Sequence, residues 1–311
     1  MSASPREAID YGRFAERLAA QRANQDPAKR WDLYREFQAE WGYVPTGGKR
    51  WEGGDPVEPD DEEYDEDDLA SMVPPEKIPA ALPEWWKLPD NSFADSWLMY
   101  WTNPEWPPTW RPDPGGYGVA EGLEPDSAFV VDPDDLRMCC FTAEYQYCNE
   151  WAYQSAEAHL DDPRVFVTTG EGWVLQADSL SEFLLLQAAT RLPPALGWSA
   201  CPDDDFDVVA PRIRAAMPEL GFHPWRELTS ALVFHGGLDT LALVDPTGED
   251  YPIRLLGRSR EALERLTAQL GGEWDITEPD PPQAAADDED DGGSADDAGS
   301  AGDAGDANSD A

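Results

Sequence analysis

Two polar residues in the segment FTAEYQYCNEW, Glu144 and Gln146, have the types and spacing needed for chemistry. Alternate residues of a strand point to the same side, so both side chains would be presented together. A glutamate in such a position can act as a general acid, or the pair can bind a partner. A surface-facing or locally hydrogen-bonded pair is the structural alternative. We assign Glu144 and Gln146 to a partner-binding site and no residue to catalysis.

The thiols and imidazoles do not form a recognisable metal motif. None of the four cysteines and three histidines has the C-x-x-C or H-x-x-x-H spacing that is common in zinc sites. The TGGKR segment at residues 46 to 50 lacks the glycine and hydroxyl positions of a phosphate-binding loop. We therefore expect no metal and no cofactor. A catalytic pair of Cys148 and His159 is left open by the sequence.

A segment rich in proline and tryptophan, residues 74 to 115, is a second candidate for partner binding. Exposed tryptophans can stack on sugars or act as hot spots in a protein interface. Alternatively, these rings form the buried core of a region too irregular to pack leucine and valine. The same alternative applies to Trp85 and Trp86, which would then also be core residues. The partner-binding hypothesis names Trp97, Trp101, Trp106 and Trp110.

Helical signals dominate residues 1 to 45, which we expect to form an N-terminal helical hairpin. Ser4 followed by Pro5 is typical of a helix start, and Asp26 followed by Pro27 predicts a second helix in the same way. Aromatic residues in the second helix recur at spacings of 3, 3 and 4, which places them on one face. They are Trp31, Tyr34, Phe37 and Trp41.

Residues 74 to 195 are predicted to form an α+β domain. Short runs rich in β-branched and aromatic residues between 128 and 177 are typical of strands. Ser179 and Glu182 then have the spacing of a capping box, in which the serine accepts the Glu182 amide and the glutamate side chain reaches back. Two prolines at 193 and 194 are expected to end this helix near Leu192.

Residues 205 to 276 are predicted to form a second small α+β module on the same plan. It would contain a short helix from Pro211, a hairpin centred on Gly236 and Gly237, a third strand, and a helix capped by Ser259. The predicted fold class is therefore α+β, with an antiparallel or mixed sheet and flanking helices in each part.

Net charge is the strongest compositional feature, at −42 for 311 residues. Residues 52 to 68 hold 11 acidic residues and residues 277 to 311 hold 12, with no basic residue in either segment. Neither segment has an apolar period, so we predict a disordered acidic linker at 46 to 73 and a disordered tail at 277 to 311. The remaining −19 belongs to the folded body.

Charge and hydropathy also limit the partners. A field this negative repels the phosphate backbone on which nucleic-acid affinity depends, so we expect no nucleic-acid partner. No stretch reaches the length of uncharged apolar residues that a membrane span needs, and the N-terminus has no signal-peptide core. We expect a cytoplasmic protein with reduced thiols and no membrane partner.

Several weak motifs follow one another in a fixed order within residues 80 to 192. An E-x-Q strand leads to a tryptophan, a D-P-x-V strand start, a turn with a tryptophan, and a helix that begins S-x-x-E-F-L. The positions are Glu144, Gln146, Trp151, Asp162, Pro163, Val165, Trp173, Ser179, Glu182, Phe183 and Leu184. In order and spacing this series resembles the SUKH superfamily, and its specific part covers residues 129 to 186.

The resemblance implies a non-catalytic α+β domain that binds a protein, since bacterial SUKH members are mostly immunity proteins of toxin systems. Their partners are nuclease or deaminase toxins. The front of the segment departs from the family, because EWWKLPDNSFADSWLMYW replaces the usual proline-led helix and Asn-Gly-Gly turn. The N-terminal hairpin, residues 205 to 276 and the tail lie outside the resemblance.

Charge independently favours a basic partner, because acidic proteins bind basic ones faster and can occupy the place of a nucleic acid. The favoured hypothesis is an immunity protein that occludes a basic toxin. The alternative is an acidic scaffold or nucleic-acid mimic that binds basic proteins through its charged segments. An enzyme that uses Glu144 or a cysteine, and a salt-adapted domain whose charge serves solubility, are the further hypotheses.

Overall fold

Among the described residues, the first helical segment begins at Tyr11 with Asp10 as its cap, and residues 7 to 9 are not helical. The start predicted at residues 4 and 5 lies outside the described residues. The Asp10 carboxylate accepts the Gly12 N–H at 2.9 Å and caps the first turn. The preceding residue, Ile9, is not helical because its N–H and carbonyl both bond to Asp239, which lies in a turn far along the chain. The segment comprises a 3₁₀ turn (Tyr11–Arg13) and helix α1 (Phe14–Ala23).

The computed structural model describes residues 7–24, 26–44, 78–88, 102–111, 138–144, 146–169, 172–247 and 252–279. The acidic linker predicted at 46 to 73, the tail from residue 280 onward and the strand predicted at 128 to 132 lie outside these ranges. The helices, strands and contacts that follow are those of the described ranges.

The second helical segment begins where Asp26 and Pro27 predict. Asp26 accepts the Ala28 N–H at 3.1 Å and caps a 3₁₀ turn (Pro27–Lys29), which leads into helix α2 (Asp32–Glu40). Gly42 follows the helix with a φ of 77°, a conformation that glycine adopts without strain. All four aromatic residues of the predicted face are buried: Trp31, Tyr34, Phe37 and Trp41.

Five antiparallel strands form the first sheet, in the order in which they occur along the chain. Their alternating side chains reach two apolar clusters, one on each face, because Cys139 lies in the main core and Cys140 in a smaller cluster. Helix α3 (Ala81–Trp86) precedes the sheet. The strands are β1 (Thr102–Arg111), β2 (Met138–Glu144), β3 (Glu150–Gln154), β4 (Val165–Thr169) and β5 (Gly172–Ala177).

Helix α4 (Leu180–Leu196) follows the first sheet and is buried along most of its length, with 13 of 17 residues in the interior. Helices that are apolar all round are typical of such positions. The prediction that prolines 193 and 194 end it near Leu192 is wrong. The helix continues for a further turn because proline fixes a helical φ and removes only its own N–H, and the Gly197 N–H bonds to the Pro193 carbonyl at 2.9 Å.

Six strands form the second sheet, in the order β11-β6-β10-β9-β8-β7. The hairpin that was predicted around Gly236 and Gly237 turns two residues later, at Leu238 and Asp239, because both glycines still pair in the ladder. The strands are β6 (Trp198–Pro202), β7 (Trp225–Glu227), β8 (Ser230–Gly237), β9 (Thr240–Val244), β10 (Ile253–Gly257) and β11 (Trp274–Thr277). The sequence did not predict β6 and β7.

Two helices cover the outer face of the second sheet, α5 (Phe206–Ala216) and α6 (Arg260–Leu270). Helix α5 begins five residues before the predicted start at Pro211, which lies inside it. Ser259 caps α6 by accepting the Ala262 N–H at 3.2 Å, and Gly271 follows it with a φ of 70°. Strand β9 is buried on both faces, since Leu241 and Leu243 face the main core while Ala242 and Val244 face these helices.

A single apolar cluster joins the helical N-terminus, α4 and the inner faces of both sheets. Helix α4 packs against α2, α3, β5, β6 and β10. Trp151 of β3 stacks on Trp225 of β7, with ring centroids 5.2 Å apart. The fold class is α+β with antiparallel sheets, as predicted. The predicted division between residues 195 and 205 stays a prediction, and it falls where α4 leads into β6.

Candidate functional site

Glu144 lies at the end of β2 and is buried, with 2 % of its surface exposed. Its Oε2 accepts the N–H of Gln146 at 3.0 Å and the N–H of Cys148 at 3.2 Å. Its backbone N–H and carbonyl also bond to Asn149 and Tyr147, so the residue closes the β2–β3 turn at four points. The structure therefore matches the locally hydrogen-bonded alternative, because the Glu144 carboxylate orders the backbone of the turn. Of the two residues in the pair, Gln146 alone is exposed.

Tyr147 occupies the tip of this turn in a left-handed conformation, with a φ of 60°. Residues other than glycine, asparagine and aspartate rarely adopt that region, because Cβ approaches the backbone. The Tyr147 side chain is 53 % exposed. An aromatic side chain is thus presented outward from a strained and hydrogen-bonded turn.

Asn149 connects this turn to a turn of the second sheet. Its side chain is buried, donates from Nδ2 to the Thr168 carbonyl at 2.6 Å, and accepts the Leu228 N–H at Oδ1. Leu228 lies in the β7–β8 turn, has a φ of 56° and is 58 % exposed. The two strained turns are therefore neighbours, and one buried amide fixes their spacing.

A second set of bonds holds the β7–β8 turn from the other side. Asp245 accepts the N–H of Ala231 at 3.2 Å and the N–H of Thr247 at 2.9 Å. The Thr247 hydroxyl lies 2.7 Å from the Thr229 carbonyl. Burial opposes ionisation of Asp245, but the bonds from Thr247 and Ala231 outweigh it and lower the pKa of this carboxyl. Its charged form therefore stabilises the turn.

We call the surface formed by these two turns the turn surface. Its exposed members among the described residues are Gln146, Tyr147, Cys148, Leu228 and Thr229, and Asn149 lies beneath them. Sequence reasoning found Gln146 but missed Leu228 and the role of Asn149. A leucine in a left-handed conformation has no sequence signature, and the bond from Asn149 joins residues 79 positions apart.

Cys148 and His159, the catalytic pair that the sequence left as a possibility, are not hydrogen-bonded to each other. Cys148 precedes β3, whereas His159 follows it, and a five-residue strand separates its ends by about 16 Å. The His159 ring lies against the Ala156 carbonyl, with Nδ1 at 2.8 Å. Within the described ranges, no hydrogen bond joins the Cys148 side chain to an imidazole.

The tryptophan candidates divide into described and undescribed side chains. Trp85 and Trp86 are buried, and Trp85 donates from Nε1 to the Tyr34 hydroxyl at 3.3 Å, so these two are core residues. Trp106 and Trp110 lie in β1, where the backbone is described and Trp110 pairs with Cys139. Trp97 and Trp101 lie outside the described residues.

A cleft of about 490 Å³ lies where α1 and the start of α2 meet the N-terminus of α4. Asp162 accepts the backbone N–H of Ser181 at 2.8 Å and its hydroxyl at 2.6 Å, so it caps α4 beside Ser179. Burial raises the pKa of Asp162, while the bonds from Ser181 and the charge of Arg30 oppose that rise.

The second half of the predicted capping box is wrong. The Glu182 side chain does not reach back to the Ser179 backbone, because it forms a bidentate ion pair with Arg22 of α1 at 2.8 and 2.6 Å. Arg22 also lies 3.2 Å from Asp178. The polar groups of the cleft thus join α1 to the start of α4.

Among the described residues, no group of three or more histidine, cysteine or acidic side chains has the geometry to hold a metal ion. In the same ranges, no helix has both the length and the apolar character to cross a bilayer. No protein-family model, no curated protein and no solved structure matches this chain.

Proposed function

We propose that this protein is a non-catalytic binding module of the SUKH type, an immunity protein that occludes a basic nuclease or deaminase toxin in the cytoplasm. The observation that carries the proposal is the position of Glu144, the acidic residue of the E-x-Q motif. Its carboxylate is buried and accepts two backbone N–H groups at 3.0 and 3.2 Å. A carboxylate used in this way orders the turn, which supports a binding role for this motif over a general-acid role.

The other motif residues of the SUKH resemblance have similar structural roles, which supports a binding scaffold. Trp151 packs on Phe183 with ring centroids 5.9 Å apart, and both lie in the main core. Asp162 caps the helix that begins with the S-x-x-E-F-L motif. The motif residues therefore connect strand, turn and helix to one another.

Charge supports the kind of partner. At −42, the chain attracts basic proteins over distances of about one Debye length, roughly 8 Å at physiological salt, and guides them into contact. Toxins that act on nucleic acids carry basic surfaces for their substrate. An acidic protein competes for those surfaces by presenting carboxylates in place of phosphates.

The experiment is co-expression with the catalytic domain of a toxin encoded beside this gene. We expect restored growth and a stoichiometric complex by size-exclusion chromatography with light scattering. The matched control is a toxin domain of equal charge from an unrelated locus. We expect this protein to give cells no protection against that toxin. Protection from neither toxin, with no complex, would overturn the proposal.

The alternative function is an acidic scaffold that binds basic proteins through its charged segments. It is favoured by the 11 and 12 acidic residues in segments 52 to 68 and 277 to 311. Deletion of residues 280 to 311 separates the two, because it leaves β11 and the rest of the described fold intact. Retained binding supports the immunity proposal, and lost binding supports the scaffold.

A further inference from the structure

We propose that the turn surface is the docking site for the basic partner, with Tyr147 and Leu228 as its two apolar anchors. This assignment rests on the proposed function and names the part of the molecule that performs it. Tyr147 lies in the β2–β3 turn of the first sheet and Leu228 in the β7–β8 turn of the second, and each residue is more than half exposed.

Backbone strain singles out these two residues. Three non-glycine residues in the described ranges have a positive φ, namely Tyr147, Leu228 and Asp239. Asp239 has an internal role, since its carboxylate accepts the Ile9 N–H at 2.9 Å and pairs with Arg258. Leu228 has a γ-branched side chain that lies largely in solvent, where glycine would serve the backbone better. Strain of this kind concentrates at binding sites, where an exposed side chain has a use.

The turns that carry the anchors are held from within. Glu144 accepts two N–H groups of the first turn, and Asn149 joins that turn to the Leu228 N–H. Asp245 and Thr247 hold the far side of the second turn. The backbone that carries both anchors is therefore held before a partner arrives, which reduces the entropy lost on binding.

The occupant follows from charge and side-chain type. A second copy of this chain is disfavoured because two chains of charge −42 repel each other. Tyrosine is enriched among the residues that dominate interface energies, and an apolar anchor gains most in a dry pocket. We assign the surface to a basic globular protein that presents an apolar pocket surrounded by lysine and arginine.

The test uses three single variants of the full chain. Leu228→Gly removes one anchor and also relieves the left-handed backbone, and Tyr147→Ala removes the other anchor. Leu238→Ala is the matched control, because Leu238 is 54 % exposed in the turn at the opposite end of β8, about 25 Å along that strand. The probe is the adjacent-locus toxin domain with its catalytic residue inactivated, measured by biolayer interferometry.

We expect Leu228→Gly and Tyr147→Ala each to raise the Kd at least tenfold, with Leu238→Ala within twofold of the unmodified chain. The thermal unfolding midpoint of Leu228→Gly should equal or exceed that of the unmodified chain, so its weaker binding does not come from unfolding. An unchanged Kd for both anchor variants overturns the docking site alone. Absence of binding by the unmodified chain overturns the proposed function and the docking site together. A dimer that Tyr147→Ala converts to monomer overturns the assignment in favour of self-association.

Discussion

The indole rings of Trp151 and Trp225 stack with centroids 5.2 Å apart and planes 22° apart, although the two residues belong to different sheets. Both are completely buried, and Phe183 of α4 packs on both rings, at 5.9 and 5.7 Å. This three-ring contact couples the first sheet and α4 to the second sheet.

Substitution of these tryptophans tests the coupling. We expect Trp151→Ala and Trp225→Ala each to lower the free energy of unfolding by about 3–5 kcal/mol, the cost of a large cavity. The double variant should lose about 1 kcal/mol less than the sum, because the stacking is removed only once. Urea denaturation followed by circular dichroism measures this. Additive losses, with separate transitions for the two sheets, would contradict the coupling.

Asn149 is predicted to hold the turn surface. Asn149→Ala leaves the Thr168 carbonyl and the Leu228 N–H without their buried partner, which should cost about 2 kcal/mol of unfolding free energy. Asn149→Asp should cost more at pH 7 than at pH 4, since a carboxylate cannot donate to a carbonyl. Chemical denaturation at both pH values checks this, and equal losses at both would rule out the donated bond.

Arg258 is predicted to anchor the N-terminal segment. Its buried guanidinium donates to the Glu40 carbonyl at 2.8 Å and the Glu7 carbonyl at 3.1 Å, and it pairs with Asp239. Arg258→Met should cost about 3 kcal/mol, because Asp239 is left as a poorly paired carboxylate. The control is Arg13→Met, whose pair with Glu16 is exposed to solvent and should contribute little to stability. Equal unfolding midpoints for the two variants would contradict this role.

His235 gives stability a defined pH dependence. Burial lowers its pKa in the folded state, although the Met217 carbonyl and Glu219 favour the proton. Because the folded pKa lies below the unfolded value, His235 contributes stability that is present above about pH 6.5 and lost as pH falls through the depressed pKa. His235→Asn retains a donor near Nδ1 and cannot take a proton.

We therefore expect the unmodified chain to lose more unfolding free energy than His235→Asn when the pH falls from 7.5 to 5.5. Urea titrations at several pH values measure the difference. Parallel stability profiles would show that His235 titrates alike in the folded and unfolded states.

Local signals predicted many of the elements. Spacing placed Tyr34 and Phe37 on the buried face of α2, and the serine caps of α4 and α6 begin those helices as predicted. Strands β6 and β7 were missed because their short segments have no alternation that a local pattern can detect. Their pairing partners lie far along the chain, and tertiary packing decides their conformation.

The candidate site was predictable only in part. Glu144 and Gln146 stood out by type and spacing, but whether a carboxylate faces solvent or its own backbone depends on the path of the turn. Leu228 was unpredictable, because its strain and exposure result from bonds to Asn149 and from the strands on each side. Site chemistry that depends on contacts between distant segments is not encoded in a local pattern.

The central proposal is that the negative charge of this protein attracts a basic partner. It is tested most directly by measuring the association rate constant with the inactivated toxin domain at several ionic strengths. Stopped-flow measurements between 20 and 300 mM NaCl should show a fall of about tenfold or more in the association rate, with about a threefold change or less in dissociation. The same association rate at both salt concentrations would contradict electrostatic guidance of the partner.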